Sequence, residues 1–430
     1  MLSYAPMLLE LRTICSVAAV AALLGGVGAA HAQPGPAAVA RPAGSTDTPK
    51  SENSLRSLLE IAKQNAPEVT LAQASLTSSR SLLANGKLAP LGNPYLELTA
   101  ERGDKNVTKD VALNGTLWLP LELSGQRQSR GREAESFVLL HAAFVDQARA
   151  RAAARLIRAY GAAVVAAERA SVLSELLTSA RAEVQLVAER VKNGDAIQPD
   201  ASLAAVEGAR HEVMLAETQA ELSRASGELA EILGRDAPNL AGATEPPALG
   251  SGVRTVKLGE LPQTQSLAAE ARFHSSSAER LRREGQSPLS LGLVAGRGDF
   301  GETRLGGGLA YAFPLFRANR PEAARASAEG ARALAEKSVH ERLARRRLRL
   351  LVDEQAHLMR ARSVLTTTAL PAAQLAVSAV QETYAAGKAE MLAVLLSRRE
   401  LSSLSLRRLE LLLQEWHLVS EYVEITGDLP

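Results

Sequence analysis

The sequence predicts a mainly α-helical protein with a small membrane β-barrel portion, built twice from one unit. Three observations carry this expectation. Two pairs of short segments alternate strictly between apolar and polar residues. No proline interrupts residues 121–198, which allows a helix far longer than an ordinary domain is wide. Residues of the same type also recur in the same order about 193 positions apart.

The 430 residues are 46% apolar, 22% charged and only 3% aromatic, the composition of long helices rather than of a disordered chain. Lys+Arg number 49 against 47 Asp+Glu, a balance that argues against a nucleic-acid binder. The chain opens with an export signal over 1–32: Arg12 precedes an apolar run that ends in Ala30-His31-Ala32, an A-x-A cleavage pattern. Cys15 opens that run rather than following it, so no lipid anchor is expected, and the mature chain has no thiol chemistry. Residues 33–52, rich in Pro, Ala, Gly and Ser, read as a flexible leader. No later window holds 18 uninterrupted apolar residues, which excludes a helical inner-membrane protein.

The duplication organises the rest. Pro94 and Pro288 are 194 apart, as are Pro120 and Pro314; Gly194 and Gly387, Glu207 and Glu400, and Gly234 and Gly427 are each 193 apart. The first repeat spans 53–235, a linker with three prolines and three glycines spans 236–252, and the second repeat spans 253–430. Each repeat reads helix, strand, strand, long helix, helix. A helix is expected over 54–85, then a strand over 93–102 in which Leu96, Leu98 and Ala100 alternate with Glu97, Thr99 and Glu101. A turn at 103–106 leads to a strand with Val111, Leu113, Leu117 and Leu119 on one face. The second repeat matches with Leu289, Leu291 and Leu293, then Leu305, Leu309, Tyr311 and Phe313. The first long helix, over 126–193, would reach about 100 Å at 1.5 Å per residue and must lie along other helices. Its counterpart runs over 323–386, with Pro371 as a kink.

Strands of about ten residues with one apolar face suit a bilayer-crossing barrel. Six of the chain's 14 aromatics (Tyr95, Trp118, Phe300, Tyr311, Phe313, Phe316) lie in the two strand windows, where lipid-facing girdles would sit. Four strands do not close a barrel, and open edges are not tolerated in lipid, so other copies must complete it: two would give about 8 strands and three about 12.

An exported, duplicated chain of this pattern resembles the TolC-like outer membrane factor family over residues 53–430. Asn65-Ala66-Pro67 looks like the family's first-helix signature. Leu119-Pro120-Leu121-Glu122-Leu123, followed by Gly125, Gln126, Arg127 and Arg130, resembles the strand-to-helix junction of the heavy-metal (Czc- and Cus-type) branch; Phe313-Pro314-Leu315-Phe316 resembles the matching junction, and Tyr384-Ala385-Ala386-Gly387 the second helical tip. The resemblance implies a homotrimer whose 12 strands form one barrel in the outer membrane and whose helices form a periplasmic tube. It also implies partners: a periplasmic adaptor (membrane fusion protein) docked on the tip and an inner-membrane RND pump that supplies the energy. The chain would be a passive exit duct with no cofactor, for heavy-metal cations first and for drugs or secreted proteins as the runner-up.

Two departures stand out. Cus-type relatives are often lipoproteins, and acidic tip residues of relatives are here Ala393 and Leu396. The candidate gate is Asp200 against Tyr384, which match the family's tip carboxylate and tyrosine, with Gly194 and Gly387 as the chain reversals. A phenol–carboxylate bond is weak enough, about 0.5–1.5 kcal/mol net, to open. Asp200 also reads as a helix N-cap after Pro199, and Tyr384 as a packed helix-end aromatic. Ala389 replaces a latching arginine of some relatives. Glu207 and Glu400 read first as solvated helix residues and second as lumen-lining ones, and Arg345, Arg346, Arg347 and Arg349 as a solvated or lumen-facing surface. Arg-Gly-Asp at the two strand turns reads as turn chemistry rather than adhesion.

Enzyme chemistry finds no foothold: there is no H-E-x-x-H, G-x-S-x-G or Walker sequence, and the six histidines after residue 32 form no ligand cluster in sequence. From another class, a soluble periplasmic coiled-coil adaptor or scaffold remains the alternative. The amphipathic strand pairs favour the duct.

Overall fold

The protein, a computed structural model, is described over residues 54–102, 111–238, 245–250, 256–298, 300–315 and 319–430. The export signal, the leader and the first strand turn therefore lie outside the described residues, as do Asp299, Phe316 and linker residues 239–244 and 251–252.

Two short helices come first. α1 (Leu55–Asn65) is capped by the Ser54 hydroxyl, which accepts from the Ser57 amide. The single helix expected over 54–85 is broken: Ala66 is extended (ψ 140), as a residue before proline must be, and α2 (Pro67–Arg80) restarts with Pro67 in its first turn. A 3₁₀ stretch, Ser81–Lys87, leads on to β1 (Tyr95–Arg102) and β2 (Val111–Leu121). α3 (Gln126–Lys192) then runs 67 residues without a break, close to the span expected. It returns as α4 (Gln198–Leu233). The second half repeats the order: α5 (Pro262–Glu284), β3 (Leu289–Arg297), β4 (Thr303–Tyr311), α6 (Arg320–Val364), α7 (Leu370–Ala385) and α8 (Met391–Thr426).

Between α6 and α7 the backbone widens into a π-helical segment, Leu365–Ala369. Pro371 explains it: a proline lacks the amide and crowds the carbonyl four residues back, so the helix opens one turn earlier. The kink expected at Pro371 is therefore a five-residue segment before it. Residues 363–381 carry no charge, so this run contains a stretch long and apolar enough to cross a membrane, which sequence reading did not anticipate. Its apolar character is broken by Thr366, Thr367, Thr368 and Gln374.

α3 is the spine on which the other helices pack. Its Ala- and Val-rich middle (Ala152, Ala153, Leu156, Ile157, Ala163) forms one core with Leu58, Leu59 and Ala62 of α1, Leu229 and Ile232 of α4, and Leu409, Trp416 and Val419 of α8. Trp416, fully buried, fits only because residue 161 is glycine: a Cβ there would lie 2.5 Å from its Cβ and Cγ. The linker is part of this core. Leu249 is buried, the Gln355 side chain accepts from its amide (2.7 Å) and donates to the Pro247 carbonyl (2.9 Å), and Arg362 reaches Glu245 (3.0 Å) and the buried Glu415 (2.9 Å). Glu415 is pushed up by burial, against the pull of Arg362.

Candidate functional site

The four strands form one antiparallel sheet in the order β1-β2-β3-β4, so the hairpins of the two halves pair through β2 and β3. The register sorts the side chains. Leu96 faces Leu117, Leu117 faces Leu293, Leu119 faces Leu291, and Leu291 faces Leu309, giving one apolar face across all four strands. That face is bare: Leu98 is 73% exposed and Leu305 84%. Among the described residues, β1 and β4 have no partner on their outer edges. An open, two-edged sheet with a bare leucine face does not persist in water, and its edges do not persist in lipid.

The opposite face corrects the aromatic girdle expected from sequence. Tyr95 and Trp118 lie on the polar face, not the leucine face: they pair across β1 and β2 and stack at 6.4 Å, and the Trp118 indole N–H donates to Glu97 (2.8 Å). Trp118 lies across Gly292 and Gly308, where a Cβ would come within 2.7 and 3.3 Å of its ring. The glycines of these strands make room for the indole on the sheet's polar face. Tyr311, opposite Leu289, and Phe313 stack edge to face on the leucine side.

The junction residues fix how strands pass into helices. Pro120, buried at the end of β2, accepts from the Gly92 amide (2.8 Å), and the Glu122 amide donates to the Pro90 carbonyl (2.8 Å). Gly125 (φ 80) caps α3 in a conformation that favours glycine. Arg127 donates to the Gly86 carbonyl (3.2 Å), and Arg130 grips Glu122 with two bonds of 2.9 and 2.7 Å. Pro314 lies in the loop after β4, and Asn319 (φ 51), the N-cap residue of α6, donates its side-chain amide to the Leu281 carbonyl of α5 (3.3 Å).

At the far end the two hairpins α3–α4 and α7–α8 reverse alike. Gly194 (φ 83) and Gly387 (φ 70) have open space where a Cβ would stand, so backbone conformation rather than crowding selects glycine. The following amides close matching turns: Asp195 to the Arg190 carbonyl (2.8 Å) and Lys388 to the Thr383 carbonyl (2.9 Å). A small core joins the hairpins, made by Val187, Ala204, Met391, Val394 and Leu395 with Tyr384 against its edge.

The gate bond expected from sequence is not formed within this chain. Among the described residues no hydrogen bond joins Asp200 and Tyr384; instead the Arg190 guanidinium lies 4.5 Å over the Tyr384 ring. Asp200 is the third residue of α4, whose N-cap is Ile197, so it favours the helix by its charge in the first turn rather than by capping. Further up, Arg398 of α8 pairs with Glu183 of α3 (3.0 Å) and, with the Gln381 amide of α7 turned so that its oxygen faces the guanidinium, donates from Nε to that oxygen (3.0 Å). Burial pushes Glu183 up, opposed by Arg398, and burial also pushes the neighbouring His211 down. Sequence reading missed Glu183, Arg190 and Arg398, since residues 215 apart, such as Glu183 and Arg398, leave no local signature. Glu207 makes a 3.8 Å pair with Arg210, and Glu400 is exposed. No group of three or more His, Cys, Asp or Glu among the described residues is placed to hold a metal ion.

No protein-family model matches the chain. It is 27% identical over 384 residues to the cobalt-zinc-cadmium resistance protein CzcC of Cupriavidus metallidurans, covering 87% of this chain and 90% of that protein. Its fold matches the solved outer-membrane channel OprN (TM-score 0.71, 18% identity, 86% and 89% of the two chains). It also matches the outer membrane protein VceC of Vibrio cholerae (0.68, 19%, 87% and 97%) and the channel-forming CusC (0.65, 16%, 87% and 92%).

Proposed function

From the premise that the chain is a TolC-like outer membrane channel protein, we propose that three copies close its four strands into one 12-stranded barrel and serve as the exit duct of a heavy-metal efflux pump. The observation that carries the assembly is the sheet itself: among the described residues it has four strands, both outer edges without partners and a bare leucine face, a structure completed only by neighbouring copies and lipid. The long hairpins then extend into the periplasm, and the paired tips at Gly194 and Gly387 meet a periplasmic adaptor bound to an inner-membrane RND pump. The duct performs no chemistry. It offers a path, and its partner supplies the energy. Divalent heavy-metal cations are the proposed cargo, on the likeness to a cobalt-zinc-cadmium resistance protein over nearly the whole chain.

The tip sets whether the path is open. We assign its closure to the contacts that bridge the two hairpins, Arg190 on Tyr384 and Arg398 on Glu183. Asp200, near the same tip, is the candidate contact to a neighbouring copy. The junctions at Pro120, Gly125, Arg127 and Pro314 hold the barrel on the helical tube.

The test has two stages. Cell envelopes are fractionated and run on gels unheated and boiled. A band in the outer membrane that migrates as a trimer until boiled supports the duct, whereas a soluble periplasmic monomer overturns it. A deletion strain is then grown on graded cobalt, zinc and cadmium beside a panel of drugs. Sensitivity to the metals alone supports the cargo, and sensitivity to drugs alone replaces it.

A further inference from the structure

α7 buries none of its residues within its own chain, and its Leu375 is 71% exposed. α4 is bare in the same way on one side, where Val206 and Val213 are 65% and 58% exposed. On each helix the bare apolar residues recur at alternating steps of three and four, the spacing of a coiled-coil seam. They are Val206, Ala209, Val213, Ala216 and Ala220 on α4, and Ala372, Leu375 and Ala379 on α7. Each helix has another seam that is already occupied. Ala204, Gly208 and Thr218 of α4 are buried, with Gly208 against Val184 of α3. Val380 and Tyr384 of α7 pack on the tip core with Met391 and Val394 of α8, and half-buried Ala373 and Val377 extend that line.

Direction and height identify what covers the free seams. At 100° per residue the free seam lies about 150° round α4 from the occupied one, and about 140° round α7. Towards the tip the helices pack side by side in the order α4-α3-α8-α7 among the described residues, so α4 and α7 are the outer members of the layer. A stripe turned to the lumen or to the outside would lie near a right angle from the occupied seam. Those arcs are polar: Glu207 and Glu221 on one side of α4, Glu212 and Gln219 on the other, and Gln374 and Ser378 on one side of α7. The apolar seams instead point onward along the wall, away from the chain's own helices. They also match in height. Gly208 rests on Val184, and the adjacent Glu183 shares Arg398 with Gln381 of α7, which sets residues 208 and 381 level. Val213 and Leu375 lie about 8 and 9 Å from those positions towards the strands, at 1.5 Å per residue. Copies related by a threefold axis along the tube keep that height. Val213 is then level with Leu375 of the neighbouring copy, Ala209 with its Ala379 and Ala216 with its Ala372, small pairs that let two backbones close. Lipid is not the occupant. Leu375 lies about 80 Å along the helical run from Arg320, against about 30 Å for a hydrocarbon core.

We propose that α7 of each copy docks along α4 of the next, seam on seam, and so closes the helical tube as pairing of β1 with β4 closes the barrel. The arm that its own chain leaves bare is thereby held by the neighbouring copy, and the tip of one copy does not move without the next. This rests on the three-copy reading but not on the cargo.

The test uses the full mature chain, which holds no other cysteine once the export signal with Cys15 is removed. The double variant Val213→Cys, Leu375→Cys is purified in detergent, treated with a short bifunctional maleimide, boiled and run on a gel. Within one chain α3 and α8 stand between the two positions, so bridges form only between copies. Covalent dimers and trimers are expected, and each single variant is expected to stay monomeric. Monomers alone, from a sample that ran as a trimer unheated, overturn the seam and leave the trimer standing. Covalent dimers from Leu375→Cys alone place the α7 arms against one another at the axis and also overturn it. A wild-type chain that is no trimer unheated removes the three-copy reading itself. The single variants decide the matter where the pair does not assemble. A polymer-linked maleimide is expected to label Val213→Cys and Leu375→Cys in the unboiled trimer at least about tenfold more slowly than Gln374→Cys, and all three alike after boiling. No adaptor is present and the detergent belt lies on the distant strands, so another copy is what shields these positions. Labelling of all three at one rate before boiling places the stripes on an open face and overturns the proposal.

Discussion

The two halves solve the same problem differently. In the first, α3 is one unbroken helix of 67 residues that buries side chains along most of its length. In the second, the corresponding path is split into α6, a π segment and α7, and α7 buries none of its residues within the chain. The same unit thus yields a packed spine in one copy and a jointed, lightly held arm in the other. The joint follows directly on Arg362, the residue clamped by Glu415 and Glu245. Before the joint, α6 packs along α5 and α8, and its last turns are clamped to the linker through Gln355 and Arg362. Beyond it, α7 touches α8 and the small tip core. A duct that opens at its tip while staying rigid in its shaft has use for that division.

The largest effects should come from forcing one half to behave like the other. Thr178 stands 193 residues before Pro371, at an exposed position in the last third of α3, about four turns from its end. Thr178→Pro should cost about 3 kcal/mol or more, because α3 has no wider segment to absorb the lost bond and its neighbours fix its course. Trp416→Ala should be of similar size, about 3–5 kcal/mol, since it empties the site that Gly161 makes for the indole. For both, the temperature at which the unheated trimer band disappears should fall steeply. A Thr178→Pro protein as stable as wild type would mean that the spine is no stiffer than the arm. Next, Glu415→Gln should destabilise by about 1–3 kcal/mol, by weakening the buried clamp while Glu245 still partners Arg362. Smaller again is Pro371→Ala, expected to change stability by less than about 1 kcal/mol. Its readout is hydrogen exchange: amides of residues 363–385 should exchange more slowly once the helix can close, and unchanged exchange would remove proline as the cause of the joint.

Much of this division was legible in the sequence, for definite reasons. Strand alternation, the proline-free run and the paired glycines are local signals, and they placed β1 to β4, α3 and both reversals to within a few residues. Pro371 flagged the joint but not its form, since a proline says that a helix bond is lost and not how the backbone redistributes the strain. Tyr95 and Trp118 were misplaced for a similar reason. Enrichment of aromatics near a membrane marks a level, but only the pleat, read with the glycines opposite, marks a face. The bridges at the tip were invisible. Arg190, Glu183 and Arg398 lie on polar helix surfaces that look like any solvated face until a distant helix is packed against them.

The smallest expected effect follows from three histidines that burial pushes down: His211 in the first half, and His340 and His417 in the second. His340 and His417 line one cavity of about 530 Å³ with Arg158, Gln263, Glu421 and Glu424. Arg158 further disfavours protonation of His417, and Glu341 partly offsets burial at His340; around His211, Glu207 favours the charged form while Arg210 and Arg398 oppose it. Each imidazole binds a proton more weakly folded than unfolded. Stability is therefore fully present above the ordinary histidine value of about 6.5 and is lost as pH falls through it towards the lower folded values. Glu183 works the other way: its raised value gives a penalty that grows as pH rises from the ordinary glutamate range, and so eases only at more acid pH. Between pH 7.5 and 5.5 the histidines should dominate, and the trimer's melting temperature should drop. His340→Gln with His417→Gln should flatten most of that drop, and His211→Gln should remove a smaller share confined to the tip. If His211→Gln alone abolishes it, the acid-sensitive element is the tip bridge beside Arg398, and the shaft of the second half is as indifferent to pH as the spine of the first.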